Sequence, residues 1–473
     1  MTQLDKITPR DVDFSKWYTD IVLNAKLASY APVKGTIIFR PYGYAIWELI
    51  QKQLDLEFKK INVENVYFPL LIPESLFNKE KEHIDGFSPE IATVTRVGDN
   101  QLPEPLFIRP TSEVLMADFF KTEVKSYRDL PLLFNQWANV MRWEKTTRPF
   151  LRTSEFLWQE GHTVHDSKVQ AHDFTLKILN IYETFVREFL LLPVIMGQKT
   201  QKEKFAGAHS TYTIESLMYD GQALQCGTSH YFEDNFSKVY DIKFQNKEGK
   251  LEYGYSTSWG VSTRLIGAII MSHSDDNGLV LPSKISPIQV RIIQIKDTDE
   301  VIKISESIKN MLSNKYRVDI DKTDKSFGFK ISEAEIKGIP LRIEIGPRDL
   351  EKKVVVISRR DTKEKMEVNI NDVEKIVDSM IKAYDENIFN LALENRKKRT
   401  TSVNSIQEYK DVLNSNQGFI LVPFCGEVSC EEDVKQQTST NSRCIPFEQE
   451  NKNMKCFNCN KDTKMQVYFA RAY

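Results

Sequence analysis

No stretch of this 473-residue chain approaches the ~18–20 consecutive apolar residues that a membrane-spanning helix needs. An excess of charge of one sign is also lacking: 64 Lys and Arg stand against 66 Asp and Glu, for a formal net charge of −2. That balance excludes a uniformly basic nucleic-acid coat and leaves RNA contact to local patches such as 145–148 or 359–365. Cysteine is scarce, with six in the chain, too few for a disulfide scaffold. Five of the six fall after residue 424, and such clustering points to metal more than to oxidation. The opening run M-T-Q-L-D-K-I-T-P-R-D-V-D-F is polar and charged and lacks the apolar core of a signal peptide. A cytoplasmic protein is expected, with neither membrane nor DNA as partner. What is present is ordinary for a soluble globular protein: 41% hydrophobic and 27% charged residues. The length suggests about three domains of ~100–200 residues each.

The most informative stretch is 140–165, V-M-R-W-E-K-T-T-R-P-F-L-R-T-S-E-F-L-W-Q-E-G-H-T-V-H. Residues 134–144 and 155–158 are aromatic and β-branched, and the basic, Pro-containing segment between them breaks the pattern, which predicts two strands joined by a loop. Arg142 and Glu144, two apart, share a strand face, and the returning strand brings Arg152 and Phe156 alongside. A fixed guanidinium suits phosphate or carboxylate, and an aromatic face suits a purine. Taken alone, Arg-x-Glu is more often a surface hairpin with paired charges. The order Arg-x-Glu, basic loop, Arg-x-x-x-Phe is much rarer and resembles motif 2 of the class II aminoacyl-tRNA synthetases. The wording R-P-F-L-R-T-S-E-F-L-W-Q-E-G-H-T is similar to the prolyl-tRNA synthetase family of archaeal and eukaryotic type, within class IIa.

Other segments fall in the order of that family. After a first mixed-polarity helix within residues 1–30, Ile46, Leu49, Ile50, Leu54, Phe58 and Ile61 recur at helical spacing, and a strand-like run at 63–68 stops at Pro69. This resembles motif 1, which implies a homodimer. In R-P-T-S-E, Thr111 and Glu113 read as a helix start with a hydroxyl cap and an acidic first turn. The resemblance instead gives them the two protons of proline's secondary ammonium. The K-F-A-G-A and Q-x-G-T-S-H segments of the family match here and put Phe205, Gln225, Thr228 and His230 at the pocket, while Phe232-Glu233 replaces the family's usual Leu-Gly. A helix over 168–191 reads as packing. In S-T-S-W-G-V-S-T-R-L-I-G-A-I-I-M-S, a glycine turn opens an apolar helix bearing Arg264, as in motif 3. A buried helix rarely carries an unpaired Arg, because desolvating the charge without a partner is costly.

The resemblance implies ATP and L-proline as substrates, Mg²⁺ bound with ATP, and tRNA(Pro) as acceptor. Arg142 and Arg264 would carry catalysis. Proline would sit among Thr111, Glu113, Arg142, Trp158, Phe205, His230, Ser258, Trp259 and Gly260, with the Trp158, Phe205 and Trp259 rings boxing the pyrrolidine. ATP would meet Arg142, Glu144, Arg152, Thr153, Phe156, Gln225, Thr228, Ser262 and Arg264. The turn-rich segment 275–287 marks a boundary, and alternating βαβα beyond it implies an α/β domain with a mixed sheet. Its G-I-P-L-R-I-E-I-G-P-R-D-L-E run resembles a class IIa anticodon-binding domain, with Glu344, Arg348 and Lys352 as base readers. Cys425-x4-Cys430 and Cys456-x2-Cys459 suit a closed, tetrahedral, structural Zn²⁺ site. Cys444 is left over. In members of the family the terminal Tyr, here Tyr473, reaches back toward the active site. The expected fold is α+β, with a class II antiparallel-sheet catalytic domain at 1–282, an α/β anticodon-binding domain at 283–395 and a small zinc-binding α+β domain at 396–473. Only about a hundred residues separate Phe156 from Gly260, so no inserted editing domain of ordinary size fits, and alanine would be misactivated and cleared elsewhere. Two rivals are a sister class IIa enzyme for threonine or glycine and a non-catalytic tRNA-binding paralogue. A threonine enzyme is expected to show an open catalytic zinc set, which is missing. A paralogue is expected to have lost Arg142 or Arg264, and both are present.

Overall fold

The computed structural model describes residues 7–79, 91–450 and 452–473. The first six residues of the polar N-terminal run therefore lie outside the described residues. Helix α1 (Phe14–Asn24) is capped by Asp13, whose carboxylate accepts from the Lys16 amide. Helix α2 (Pro41–Lys59) starts on Pro41, whose fixed φ suits the first helical turn, and buries Ile46, Ile50, Leu54 and Phe58 on one face. The strand expected at 63–68 is only Glu64–Asn65 (β1). Beyond it the Phe68 amide bonds the Gln136 side chain and the Phe68 carbonyl takes the Arg109 guanidinium, so the backbone leaves the ladder.

Helix α3 (Glu113–Glu123) precedes the hairpin predicted from motif 2. Its strands, β2 (Leu132–Met141) and β3 (Glu155–His165), pair antiparallel from Leu132↔Val164 to Met141↔Glu155. Helix α4 (Lys168–Glu188) follows, with Phe174, Ile178, Tyr182 and Phe185 against the sheet, then β4 (Val194–Gln198), β5 (Ser210–Leu217), β6 (Ala223–Glu233) and β7 (Tyr255–Ser262). Helix α5 (Arg264–His273) leaves the end of β7 and is buried from Leu265 to Met271. The main core lies behind the sheet, where α1, α2, α4 and α5 bring Trp17, Tyr18, Phe58 and Tyr182 together with Trp259. Each such side chain contributes roughly 1.5–3 kcal/mol on burial.

The α/β unit has strands β8 (Val290–Gln294), β9 (Val318–Ile320), β10 (Leu341–Ile345), β11 (Val354–Arg359) and β12 (Lys365–Asn369), in the order β9-β8-β10-β11-β12. β8 runs parallel to both neighbours while β11 and β12 are antiparallel, so the sheet is mixed, as expected. β12 is not among the predicted strands; K-M-E-V-N does alternate, with apolar Met366 and Val368, but the run is short and on this exposed edge only Val368 is buried. Helix α6 (Val373–Lys398) leads out of this unit.

The last segment holds β13 (Thr400–Ser402), β14 (Phe419–Pro423), β15 (Asn441–Pro446) and β16 (Gln466–Ala470). They do not form a sheet of their own. β15 pairs with β4 through Ile445↔Gln198 and Pro446↔Gly197. One sheet of eleven strands therefore runs β13-β14-β16-β15-β4-β5-β6-β7-β3-β2-β1. The seat is tight at Gly221, held at φ +84, where an added Cβ would stand 2.2 Å from the Gln417 carbonyl oxygen. Tyr473 returns to the catalytic part: its hydroxyl lies 2.5 Å from Asp220 Oδ2, and Arg148 of the motif 2 loop stands 5.4 Å over its ring.

Candidate active site

Phe156, Trp158, Glu160 and His162 alternate along β3 and so leave from one face. β7 brings Ser258, Gly260 and Ser262 opposite them, in the register Ser258↔His162, Gly260↔Glu160 and Ser262↔Trp158. β6 adds Thr228 and His230, paired with Gly260 and Ser258. With Thr111, Glu113, Arg142, Phe205, Gln225 and Arg264 these residues bound a cavity of about 220 Å³. Glu144, Arg152 and Thr153 lie on a smaller adjoining cavity of about 50 Å³, which shares Arg142, Phe156, Ser262 and Arg264 with the first. All the residues expected at the proline and ATP sites thus line one of two contiguous cavities.

One end of the large cavity is acidic. Thr111 donates to Glu113, and Ser258 Oγ donates to the other Glu113 oxygen at 3.2 Å. Behind them Glu160, 2% exposed, accepts from the Ser112 amide (2.9 Å), the Ser112 hydroxyl (2.6 Å) and the Gln136 amide (2.6 Å). His162 Nε2 lies 3.1 Å from it. Capping is therefore not what Thr111 and Ser112 do: α3 has no side-chain cap, and both hydroxyls go to carboxylates.

The other end is basic. Arg142 donates through Nε to the Pro110 carbonyl (3.0 Å), with its guanidinium 5.5 and 5.2 Å from the Phe156 and Trp158 ring centres. Arg264 Nε donates to the Leu151 carbonyl at 3.2 Å. Burial, together with Arg152 and Arg142 nearby, pushes the Arg264 pKa down, so this end favours an anionic ligand. Arg152 is 3.8 Å from Glu144. The Thr153 hydroxyl donates to the Glu155 carbonyl, so Thr153 borders the site with that proton already used.

Between the two ends lie rings. Phe205 rests on His230 at 4.6 Å, and His230 Nδ1 is 2.9 Å from the Thr211 hydroxyl. Burial lowers the His230 pKa to about 4 against the opposing pull of Glu113, helped by the positive charges of Arg142 and Lys199. His230 is therefore a neutral wall near pH 7. The Trp259 indole does not join it. Position 259 is out of phase with 258 and 260, and the ring lies on the far face with Phe58 (4.9 Å), Phe174 and Tyr182. The Trp259 ring therefore does not stand where a third aromatic wall is expected, and of the three rings only those of Trp158 and Phe205 face the cavity. Trp259 needs Gly161 beneath it, where a Cβ would stand 2.1 Å from the indole. Gly161→Ala is expected to cost about 1–3 kcal/mol by overpacking, read as a lowered urea midpoint. An unchanged midpoint would refute that fit.

Sequence reasoning passed over Glu160 and His162. The signal was available, since both continue the Phe156–Trp158 alternation by two and four residues. Their titration is testable. Burial alone would raise the Glu160 carboxyl, but His162, then Ser112 and Gln136, outweigh it and hold the pKa at about 2. Burial would lower His162, but Glu160 and Glu113 raise it instead. The folded carboxyl lies below its ordinary 4.5, so its contribution to stability is present above pH 4.5 and is lost as pH falls toward about 2. The folded imidazole lies above its ordinary 6.5, so its share is present below 6.5 and fades as pH rises through the folded value. The urea midpoint should therefore drop on acidification below pH 4.5 more steeply for the wild type than for Glu160→Gln; parallel curves would exclude this coupling.

At the C-terminal end, the sulfurs of Cys425, Cys430, Cys456 and Cys459 all lie within 4.8 Å of one another. Two pairs measure 3.9 Å (Cys430–Cys456) and 3.6 Å (Cys425–Cys459). A tetrahedron with metal–sulfur bonds of ~2.3 Å requires about 3.8 Å between sulfurs, so the thiols fit Zn²⁺. The Asn458 amide lies 3.4 Å from the Cys430 sulfur. Glu113, Glu160 and His162 also gather within 4.8 Å, but the oxygens of Glu160 are already filled by protein donors. Among the described residues no Cys/His set adjoins the cavity as an open metal centre.

Residues 95–273 match the family described as tRNA synthetase class II core domain (G, H, P, S and T), 289–380 the anticodon binding domain, and 406–473 the prolyl-tRNA synthetase C-terminal domain. A proline--tRNA ligase of Mesoplasma florum is 79% identical over 473 residues, covering 100% of both chains. The chain belongs to the prolyl-tRNA synthetase family. The proline--tRNA ligase of Mycoplasma mycoides subsp. mycoides is 73% identical over 472 residues, 100% of this chain and 99% of its own. A crystal structure of prolyl-tRNA synthetase from Cryptosporidium parvum complexed with halofuginone and AMPPNP superposes with a TM-score of 0.95 at 38% identity, covering 99% of this chain and 100% of that one. The same enzyme complexed with L-proline and AMP gives 0.94 at 37%, over 98% and 96%. The class II synthetase core, the anticodon-binding domain and the family's own C-terminal domain are thus all present in one chain, in the expected order.

Proposed function

We propose that this chain is a proline--tRNA ligase: ATP and L-proline give prolyl-adenylate and pyrophosphate, and the prolyl group then passes to the terminal ribose of tRNA(Pro). The observation that carries the reading is a bipolar cavity, with Glu113 at one end, Arg142 and Arg264 at the other and the Trp158 and Phe205 rings between them. That is the charge pattern of a zwitterion with an apolar ring. Glu113 and Thr111 accept the two ammonium protons, while Glu160 and Gln136 fix the Ser112 backbone that holds them in place. Arg142 holds the proline carboxylate as one of its oxygens attacks the α-phosphorus and the bond to the bridging oxygen of pyrophosphate breaks. Arg142 then faces the charge that builds on the α-phosphate. Arg264 and Arg152 take the outer phosphates and stack on the purine with Phe156. Ser262, Thr228 and Gln225 line the same side. Glu144 or Gln225 would stand near the Mg²⁺ that accompanies ATP, whose charge would offset that of the phosphates.

Further assignments rest on the same reading. The four thiolates hold a structural zinc. The chain divides at 1–282, 283–395 and 396–473. A homodimer through the motif 1 region is supported by the exposed apolar residues Tyr30, Ile38, Tyr44 and Tyr67. A cytoplasmic location agrees with the absence, among the described residues, of any helix long and apolar enough to cross a membrane. The archaeal and eukaryotic subtype is supported by the whole-length likeness to the Cryptosporidium parvum enzyme. For the anticodon, Arg348 and Lys352 are exposed, one in the short helix Pro347–Glu351 and the other just after it. Glu344 is buried and already bonded to Arg342 (2.9 Å) and Lys365 (3.1 Å), so it acts by fixing those cations. A pocket with no editing domain beside it rejects alanine only by the ~1–3 kcal/mol that each ring methylene is worth, so misactivated alanine is cleared elsewhere. Amino-acid-dependent ATP–pyrophosphate exchange across the twenty amino acids tests the reading. Proline should exceed all others. A different best substrate would name a sister enzyme, and no exchange with any would make the chain a non-catalytic paralogue.

A further inference from the structure

Glu215 on β5 is fully buried and carries a salt bridge on each oxygen. Oε1 accepts from Lys199 Nζ (2.8 Å) and the Thr213 hydroxyl (2.8 Å); Oε2 accepts from Arg443 Nε (3.0 Å) and Nη2 (2.7 Å). Lys199 and Arg443 are 3% and 8% exposed at their side chains, so the group is a dry triad of two cations and one anion. Its members come from different parts of the chain. Lys199 follows the last residue of β4 and lines the amino-acid cavity, while Arg443 lies on β15, the strand that joins the C-terminal segment to β4. Arg443 therefore reaches across β4 to a residue of β5. Beside it the Ser442 hydroxyl meets Thr200 at 3.0 Å and donates to Glu431 at 2.6 Å, so the contact is a built seam.

A carboxylate buried between two cations has its position set by both. Without Arg443, Glu215 would be held only from the cavity side, and Lys199 would keep one mobile partner in place of a fixed one. Lys199 shares the cavity wall with Phe205, Thr211 and His230. Its displacement would put a flexible cation where the ring of the amino acid is to lie, far from the guanidiniums assigned to ATP. Taking as given that the cavity receives proline, we infer that the C-terminal segment is a working part of the amino-acid site: Arg443 is a positioning residue that, through Glu215, holds Lys199 in the cavity wall.

The test uses the full-length enzyme in ATP–pyrophosphate exchange. Arg443→Met, which leaves Glu215 and Lys199 as a neutral pair, should raise KM for proline about tenfold while KM for ATP stays within about twofold. Arg443→Lys keeps the charge but not the two-pronged contact and should recover part of the proline KM. If Arg443→Met does not fold by circular dichroism, Glu215→Gln/Arg443→Met removes one charge of each sign and should show the same selective rise. A folded variant with wild-type KM for proline, or an equal rise for both substrates, overturns the inference and leaves Arg443 as a stabilising residue. A wild type that shows no proline-dependent exchange would instead defeat the parent reading, so the two failures are distinct.

Discussion

Replacing Arg142 with alanine should lower proline-dependent pyrophosphate exchange by about 10³-fold or more, since removing a single preorganised donor to a developing oxyanion costs about 10²–10³ and this one serves two groups in turn. Preorganisation is visible in the contacts: Nε is anchored to the Pro110 carbonyl at 3.0 Å, and the plane is set beside the Phe156 and Trp158 rings. The carbonyl that anchors it precedes Thr111, so the anionic and ammonium ends of the amino acid are referenced to one short segment, 110–113. The fold should tolerate the change. Arg142 is half-buried just beyond the end of β2, and its Nε is bonded to a backbone carbonyl, that of Pro110. Thermal unfolding should therefore move by only a few degrees. Arg142→Lys keeps the charge without the planar fork and should fall between alanine and wild type. Near-normal exchange in the alanine variant would remove Arg142 from the chemistry.

What could be read without a structure followed periodicity and charge. The motif 2 hairpin, α2 and the buried α5 announce themselves by alternating or helical apolar spacing, and Arg264 in an apolar helix signals a ligand because a buried cation needs a partner. Residues whose meaning depends on strand parity were only half legible. Trp259 looks like a pocket aromatic in W-G-V-S, yet the two-residue period puts it on the core face, and Gly161, 98 residues earlier in the chain, is what makes room for it. The joining of β15 to β4 was not legible at all. Two residues pair there, and nothing local in N-S-R-C-I-P specifies a partner more than two hundred positions away. The Lys199–Glu215–Arg443 triad follows from that joining and was hidden with it. Tyr473 is expected near the active site only through the family; its hydroxyl meets Asp220 and the Arg148 guanidinium stands over its ring, and neither of these lines the two cavities.

Cys456→Ser should abolish stoichiometric zinc binding and unfold the C-terminal module within the full-length chain. Structural zinc contributes about 10–16 kcal/mol of apparent folding free energy in zinc-finger peptides at pH 7, as much as the ~5–15 kcal/mol that holds a typical domain together. The module gives little else to compensate. Its own core is a compact cluster around Tyr409, Phe424, Phe457 and Phe469, and Cys430 and Cys456 are themselves members of it. Cys456 is fully buried, and the turn it opens closes through its amide to the Lys461 carbonyl (2.8 Å) and its carbonyl from the Asn460 amide (3.0 Å). Four thiols crowded without a metal would lose these placements, and a serine cannot serve as the fourth soft ligand. Because β14, β15 and β16 belong to the catalytic sheet, the loss should spread inward: hydrogen exchange should rise at β15 first and then at β4, and KM for proline should climb as Arg443 leaves Glu215. Cys444→Ser is the control, since Cys444 is buried on β15 away from the four-sulfur cluster and should leave the zinc content at one per chain. A wild type that carries no zinc by elemental analysis, or a Cys456→Ser protein with unaltered exchange protection over 406–473, would overturn the assignment.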